Sequence, residues 1–263
     1  MNLSRIVTYL LARRDIRAWQ AARTTEQHTL APGADSLPAD LVPTVISGDR
    51  RDRVLAEFDQ HGALVASDPR DAAIFGQAGR HVERHHHRVQ VVLTGGHVRV
   101  RKQRILPSPA GVRNRLRARI GGALEAASLI RLAGQVPVPA LRDFDAGTGT
   151  VELDYIWGND VRRELAAHDG TTDEDELARR FARLVHGGDP VFAGWIRAVG
   201  ATTVRCGVAP LDMHAGNVLR GGRTGGFHLV DFNLVVLRPA PGWSAAVRGF
   251  ARLCGLEPGG DIR

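Results

Sequence analysis

The sequence has little cysteine and no long apolar run. Its 263 residues include two cysteines, Cys206 and Cys254, which are too few for a disulfide framework or a cysteine-based zinc site. No stretch of eighteen consecutive apolar residues is present, which excludes a typical membrane-spanning helix, and no signal-peptide pattern opens the chain. The apolar fraction of 43% and the charged fraction of 24% are those of a globular protein. We therefore expect a folded, cytoplasmic protein.

Lysine is almost absent. Of the 35 lysine and arginine side chains, only Lys102 is a lysine, and the other 34 are arginines. Arginine is a wide planar fork that binds carboxylates and phosphates through two nitrogens, whereas lysine is a compact point charge. Because arginine supplies positive charge everywhere else in the chain, Lys102 is a candidate functional residue.

The net charge of +7 is unevenly distributed. Residues 80–131 hold twelve basic and two acidic side chains, a local charge of +10, which favours an anionic partner such as phosphates, nucleic acid or an acidic membrane face. Phe75 is the only aromatic residue between positions 70 and 131, although single-stranded nucleic acid is usually bound on interleaved aromatic rings. We therefore do not expect a nucleic-acid partner.

Strand patterns cluster in the middle of the chain and helical patterns dominate later, which predicts an α+β protein with two lobes. The predicted parts are a helical extension and linker over 1–80, an N-terminal lobe over 81–157 and a C-terminal lobe over 158–263. The amphipathic helix over residues 1–22 either docks on the body or makes peripheral contact with a membrane. A proline-rich linker is predicted over 31–45 and another helix over 50–61.

The N-terminal lobe is predicted to contain a hairpin that carries Lys102. Apolar residues alternate from Arg88 onwards, Gly95 and Gly96 supply a tight turn, and Val98, Val100 and Lys102 continue on one face. Four further elements are predicted: a helix over 112–133, a strand over 151–156, a helix over 173–185, and two short strands over 218–219 and 227–232.

Three polar residues near the end of the chain carry the strongest chemical signal. Asp212 and Asn217 are five positions apart, and Asp231 follows an apolar strand fourteen positions later. In phosphoryl transfer a carboxylate accepts the proton of the attacking hydroxyl, while an amide and a second carboxylate hold Mg²⁺ against the nucleotide phosphates. The order and spacing of these residues match that set.

On these motifs the sequence resembles the protein-kinase-like phosphotransferases, in the branch of aminoglycoside and choline phosphotransferases and lipopolysaccharide sugar kinases. The resemblance covers roughly residues 88–235. It lies in the loop Asp212-Met-His-Ala-Gly-Asn217, in the segment from Glu125 to Pro139, and in Leu153-Asp-Tyr-Ile-Trp-Gly158. Asn233 departs from the protein-kinase pattern, which has a glycine after Asp-Phe, and no G-x-G-x-x-G motif is present; Gly76, Gly79, Gly95 and Gly96 are loose candidates for the segment over the phosphates.

The resemblance implies a two-lobed protein-kinase-like fold with a reduced C-terminal lobe, and a kinase that uses ATP and Mg²⁺. It implies Asp212 as the catalytic base, and Asn217 and Asp231 as metal ligands. It implies that Lys102 and Glu125 position the nucleotide phosphates, and that Leu153 and Tyr155 lie in a nucleotide-binding hinge between the lobes. The expected acceptor is a hydroxyl of a small molecule or a lipid-linked sugar.

Several alternatives stay open from the sequence alone. The chain could be a Ser/Thr protein kinase of the same superfamily, or a non-catalytic pseudokinase that binds an anionic partner. The alternating arginines from Arg113 to Arg119 form either a solvated face or an anionic substrate surface. The cluster His81, His85, His86 and His87 is interpreted as a solvated loop rather than a metal site.

Overall fold

The computed structural model describes residues 3–25, 52–58, 64–66, 69–75, 87–106 and 111–256, and these residues form an α+β structure, as predicted. Its described helices are α1 (Leu3–Thr25), α2 (Pro69–Phe75), α3 (Val112–Leu132), α4 (Val161–Ala167), α5 (Glu174–Arg183), α6 (Pro190–Arg205) and α7 (Trp243–Leu253). Its described strands are β1 (Arg53–Phe58), β2 (Leu64–Ala66), β3 (His87–Thr94), β4 (His97–Arg104), β5 (Leu141–Asp145), β6 (Thr150–Asp154), β7 (Gly158–Asp160), β8 (Val208–Pro210), β9 (Val218–Gly221), β10 (Phe227–Leu229) and β11 (Val235–Leu237).

A six-stranded antiparallel sheet, in the order β2-β1-β3-β4-β6-β5, forms the N-terminal lobe. The predicted hairpin is β3–β4, and Gly95 and Gly96 make its turn with φ of 57° and 79°, where glycine carries no Cβ penalty. Val89 pairs with Lys102 and Val91 with Val100. The hairpin prediction is therefore confirmed, with Lys102 and Val100 on one face.

The helix predicted over residues 50–61 is wrong. Residues 53–58 form β1, which pairs with β3 along its length and buries Leu55 and Phe58. This pairing and burial override the local pattern, since strand propensity depends on tertiary context. The segment predicted as an extension over 1–80 therefore contributes two strands to the sheet, while the linker predicted over 31–45 lies outside the described residues.

Helix α3 packs against the sheet and carries Glu125 on a buried face. Ile120, Leu124 and Leu129 are buried in a core that continues into the C-terminal lobe. The helix ends at Leu132, close to the predicted end, and Gly134 follows with φ of 71°. The predicted helix over 173–185 is α5. At the N-terminus of this helix the Asp173 carboxylate accepts hydrogen bonds from the backbone N–H groups of Asp175 and Glu176.

Helix α1 docks along α3. Ala12 and Ile16 are buried in the shared core, and Arg131 Nε lies 2.7 Å from Asp15 Oδ2. Arg131 also donates hydrogen bonds to the carbonyl oxygens of Gly207 and Arg238. Of the two alternatives for this helix, the structure contains the docked one; contact with a membrane stays a prediction.

The C-terminal lobe contains the sheet β10-β9-β7, the pair β11-β8 and helices α4 to α7. Phe192 packs edge-on against Phe181 and Phe227, with ring centroids 5.8 and 5.0 Å apart. In the part of the chain that the structure describes, no helix has the length and apolar character needed to cross a membrane.

Candidate active site

A cavity of about 800 Å³ is lined by residues of both lobes. Every site residue predicted from the sequence lies on its wall: Lys102, Glu125, Leu153, Tyr155, Asp212, Asn217 and Asp231. The hairpin face that carries Lys102 forms one wall, and the segments that follow β8 and β10 form another. The fold thus brings together residues that are up to 129 positions apart in the chain.

Lys102 lies between two carboxylates on the wall of this cavity. Its Nζ is 2.8 Å from Glu125 Oε1 and 3.1 Å from Asp231 Oδ1. The side chains of Lys102 and Glu125 are 13% and 3% exposed, whereas that of Asp231 is 33% exposed. Asp231 is therefore the carboxylate of this group that a ligand in the cavity can reach.

The three charges shift one another's protonation. Burial lowers the pKa of Lys102, but Asp231 and Glu125 outweigh it and raise this pKa above its ordinary value. Burial raises the pKa of Glu125 despite the nearby ammonium. For Asp231 burial acts in the same direction, yet Lys102 and then His87 hold its pKa below the usual range. Lys102 is thus a cation and Asp231 an anion at neutral pH.

The loop after β8 presents Asp212 to the cavity. Met213 and Ala215 are buried, whereas Asp212 and His214 alternate with them and are exposed, so the apolar residues anchor the loop. The His214 ring accepts a hydrogen bond from the Gly216 N–H and caps the short 3₁₀ turn Ala215–Asn217. His214 Nε2 also lies 3.9 Å from Asp212 Oδ1.

Asn217 is buried and fixed by a hydrogen bond within the same loop. Its Nδ2 donates to the backbone oxygen of Asp212 over 2.7 Å, which leaves Oδ1 as the end of the amide that can act as a ligand. Its own backbone oxygen accepts from the Val230 N–H over 3.0 Å. This bond joins the Asp212 loop to the segment that carries Asp231.

Asp231 adopts a backbone conformation that is unusual for its residue type. Its φ is 62°, the one positive value at a non-glycine position among the described residues, and such conformations cluster at functional sites. Asn233 Nδ2 donates to Asp231 Oδ1 over 2.6 Å. Asn233, which departs from the protein-kinase pattern in sequence, thus orients the Asp231 carboxylate.

Leu153 and Tyr155 lie where the sheet passes into the C-terminal lobe. Both are buried, and both contribute to the cavity wall. The Tyr155 ring packs edge-on against Phe75 with centroids 5.6 Å apart, and burial raises the pKa of its hydroxyl. Together with Val91 and Val100 these residues make this end of the cavity apolar.

Four further basic residues line the cavity: Arg5, His87, Arg104 and Arg117. Arg117 belongs to the alternating arginines for which an anionic substrate surface was left open, whereas Arg5, His87 and Arg104 were not predicted as site residues. The positions of Arg104 and Arg117 near the site could be predicted from the sequence. Arg104 is two residues after Lys102 on one strand face, and Arg117 is two helical turns before Glu125. Of the predicted histidine cluster, only His87 is described; His81, His85 and His86, like Gly76 and Gly79, lie outside the described residues. Within the described ranges, no three His, Cys, Asp or Glu side chains form a metal-binding group.

No family model and no curated protein matches the chain. Among solved structures, the chain is similar to the Rio2 kinase of Chaetomium thermophilum, in a complex with ADP, Mg²⁺ and phosphoaspartate. The TM-score is 0.40 and the sequence identity is 14%, over 64% of this chain and 51% of that one. The chain thus spans about half the length of that kinase.

Proposed function

We propose that this protein is an ATP- and Mg²⁺-dependent phosphotransferase that acts on a hydroxyl of a small molecule or a lipid-linked sugar. The observation that carries the proposal is the position of Lys102 between Glu125 and Asp231, in the cavity that also contains Asp212 and Asn217. Phosphoryl transfer depends mainly on positioning and on charge stabilisation, and these residues supply both.

The nucleotide fits the cavity in one direction. The apolar end at Leu153 and Tyr155 suits a base, and the Lys102 ammonium suits the phosphates. Because Glu125 accepts a hydrogen bond from Lys102, it holds the ammonium at the cavity wall. The volume of about 800 Å³ lies within the range of about 300–1,000 Å³ that is usual for small-ligand sites.

Asn217 and Asp231 fit a magnesium ion. Amide and carboxylate oxygens are ligands that Mg²⁺ accepts, and this ion usually takes one or two protein carboxylates and completes its shell with phosphates and water. Asn217 and Asp231 would supply two protein ligands of this kind. Among the described residues, no group of three or more His, Cys, Asp or Glu side chains forms a metal site. When bound, Mg²⁺ neutralises charge on the phosphates.

Asp212 is assigned to the acceptor. Its carboxylate is 56% exposed, so a hydroxyl in the cavity can reach it. The acceptor oxygen attacks the γ-phosphorus, its proton passes to the Asp212 carboxylate, and the bond from the γ-phosphorus to the bridging oxygen breaks to release ADP. The new product is a phosphate monoester.

A lipid-linked acceptor is favoured by two features of α1. Leu3, Ile6 and Leu10 are 67%, 37% and 57% exposed, although they are apolar. Arg13, Arg14 and Arg17 are exposed on the same helix, as in helices that lie on anionic membranes. A cytoplasmic protein with peripheral membrane contact through residues 1–22 accounts for both features.

Transfer of labelled phosphate tests the proposed function. Wild-type protein is incubated with γ-³²P-ATP and Mg²⁺ in the presence of sugars, amino-sugars, lipid-linked sugars in detergent, and a protein extract. We expect Mg²⁺-dependent labelling of a small or lipid-linked acceptor, which EDTA abolishes. Labelling of proteins alone would indicate a protein kinase, and ATP binding without any turnover would indicate a pseudokinase.

A further inference from the structure

The end of the cavity farthest from Leu153 and Tyr155 is cationic. Arg104 of β4, Arg117 of α3 and Arg5 of α1 all line it, and His87 pairs with Arg104 across the β3–β4 hairpin. These residues come from four different elements. His87, Arg104 and Arg117 belong to the basic segment 80–131, and the docking of α1 adds Arg5 to them.

Strand and helix geometry place this group beyond Lys102. Arg104 lies two residues after Lys102 on the same strand face, a distance of about 7 Å. Arg117, Gly121 and Glu125 follow at intervals of four residues and line the cavity together, so Arg117 is about 12 Å from Glu125 along the helix. Arg99, near the start of β4, pairs with Asp154 at the hinge end of β6. Arg104 therefore lies on the far side of Lys102 from the hinge.

Arg104 and Arg117 differ in charge balance from the arginines on the other face of β4. There, Arg99 and Arg101 both form ion pairs with Glu152, at 2.8 and 3.0 Å. Among the described residues, no carboxylate pairs with Arg104 or Arg117. Burial, and then repulsion from Arg117 and Arg5, lower the pKa of Arg104.

We infer that the acceptor carries an anionic group, a phosphate or a carboxylate, which Arg104 and Arg117 bind beyond the transferred phosphoryl group. This inference rests on the proposed function and narrows it, because it excludes cationic acceptors such as amino-sugars. Two guanidinium groups without carboxylate partners are suited to a phosphate, which they bind through paired hydrogen bonds. The anion can belong to a free sugar phosphate or to the diphosphate of a lipid-linked sugar.

Matched acceptors test the inference. Transfer from γ-³²P-ATP is measured on hexoses, the same hexoses as 6-phosphates, the corresponding uronic acids, an aminoglycoside and a polyprenyl-diphosphate sugar in detergent. We expect kcat/KM to be at least about tenfold higher for anionic members than for their neutral parents, since a hydrogen bond to a charged group contributes about that factor. A preference for the lipid-linked member over soluble phosphates identifies the source of the anion.

The double variant Arg104→Gln and Arg117→Gln isolates the arginines. It should lower kcat/KM for anionic acceptors about 100-fold, while the KM for ATP and the transfer to neutral acceptors change less than about threefold. The matched control is Arg113→Gln with Arg115→Gln, which removes the same charge from exposed positions of α3 that do not line the cavity. Melting temperatures of both variants show whether either one fails to fold.

Binding of inorganic pyrophosphate gives a readout that does not need turnover. Protein saturated with Mg²⁺ and a non-hydrolysable ATP analogue is titrated with pyrophosphate, and the arginine variant should bind it at least about tenfold more weakly than wild type. Equal binding by both proteins, an increase in the KM for ATP alone, or a preference for the aminoglycoside would overturn the inference. If pyrophosphate binds as expected but no acceptor is labelled, the proposed function fails and the anion site stands.

Discussion

The Lys102 ammonium and the Asp231 carboxylate are 3.1 Å apart, although 129 positions separate them in the sequence. Lys102 belongs to the sheet of the N-terminal lobe and Asp231 to the segment after β10, so this ion pair joins the two walls of the cavity. A nucleotide phosphate and a metal ion that bind between the walls would meet both charges. The pair therefore sets the geometry on which the proposed reaction depends.

Replacing Lys102 with arginine tests whether shape matters as well as charge. The wider guanidinium cannot occupy the space between Glu125 and Asp231 without displacing one of them, and a shift of about 1 Å can lower a rate about 100-fold. We expect Lys102→Arg to lower turnover at least tenfold, about 1.4 kcal/mol in the barrier. The control Arg101→Lys, on the opposite face of the same strand, should leave turnover unchanged. Turnover of Lys102→Arg within about twofold of wild type would show that Lys102 supplies only charge.

Replacing Glu125 with glutamine tests the role of the buried partner. The variant keeps the size of the side chain but removes the charge that holds the ammonium, so we expect turnover to fall by about tenfold or more. Glu152→Gln is the matched control, because Glu152 is also buried and ion-paired to β4 but does not line the cavity. If the two variants lower turnover equally per folded molecule, Glu125 has only a structural role.

The short-range elements of the site were predictable from the sequence. The alternation of valines places Lys102 on one face of the hairpin, and apolar residues flank the polar residues of the Asp212 loop. These features depend on contacts between close neighbours, which local patterns encode. The order of Lys102, Glu125, Asn217 and Asp231 along the chain matches the family pattern, which implies one shared site. All four residues line one cavity.

The features that could not be predicted from the sequence depend on contacts between distant segments. Residues 53–58 contain a helix-like pattern, but pairing with β3 makes them a strand. Arg5 reaches Arg104 and Arg117 only because α1 docks beside α3. No local pattern specifies that docking, because the helix has enough apolar and basic residues for either a membrane or a protein surface.

The pH dependence of stability tests the ionisation of Asp231. Its pKa in the folded protein lies below the ordinary value of about 4, so its ionised form stabilises the fold above that pH. This contribution is lost as the pH falls through the folded pKa. We expect the difference in unfolding free energy between wild type and Asp231→Asn to be constant near neutral pH and to shrink below about pH 4, as measured by urea unfolding. A difference that grows towards low pH would contradict the assignment.

The ion pair between Asp15 and Arg131 tests the docking of α1. Both side chains are largely buried, at 13% and 14% exposure, so Asp15→Asn leaves Arg131 without its carboxylate. We expect a loss of about 1–3 kcal/mol in unfolding free energy, seen as a lower melting temperature. Arg14→Gln removes an exposed partner of the same aspartate and should cost less than about 1 kcal/mol. Equal stability of Asp15→Asn and wild type would mean that α1 is not held by this pair.

The most direct test of the proposed reaction is to measure Mg²⁺-ATP affinity and phosphate transfer side by side in wild type and Asp212→Asn. Asp212 is assigned to the acceptor rather than to the nucleotide, so the variant should bind Mg²⁺-ATP within about twofold of wild type. Loss of a general base typically costs a factor of about 10²–10⁴, and we predict that transfer of the γ-³²P label falls at least about 100-fold. Transfer by Asp212→Asn within a few fold of wild type would contradict the account.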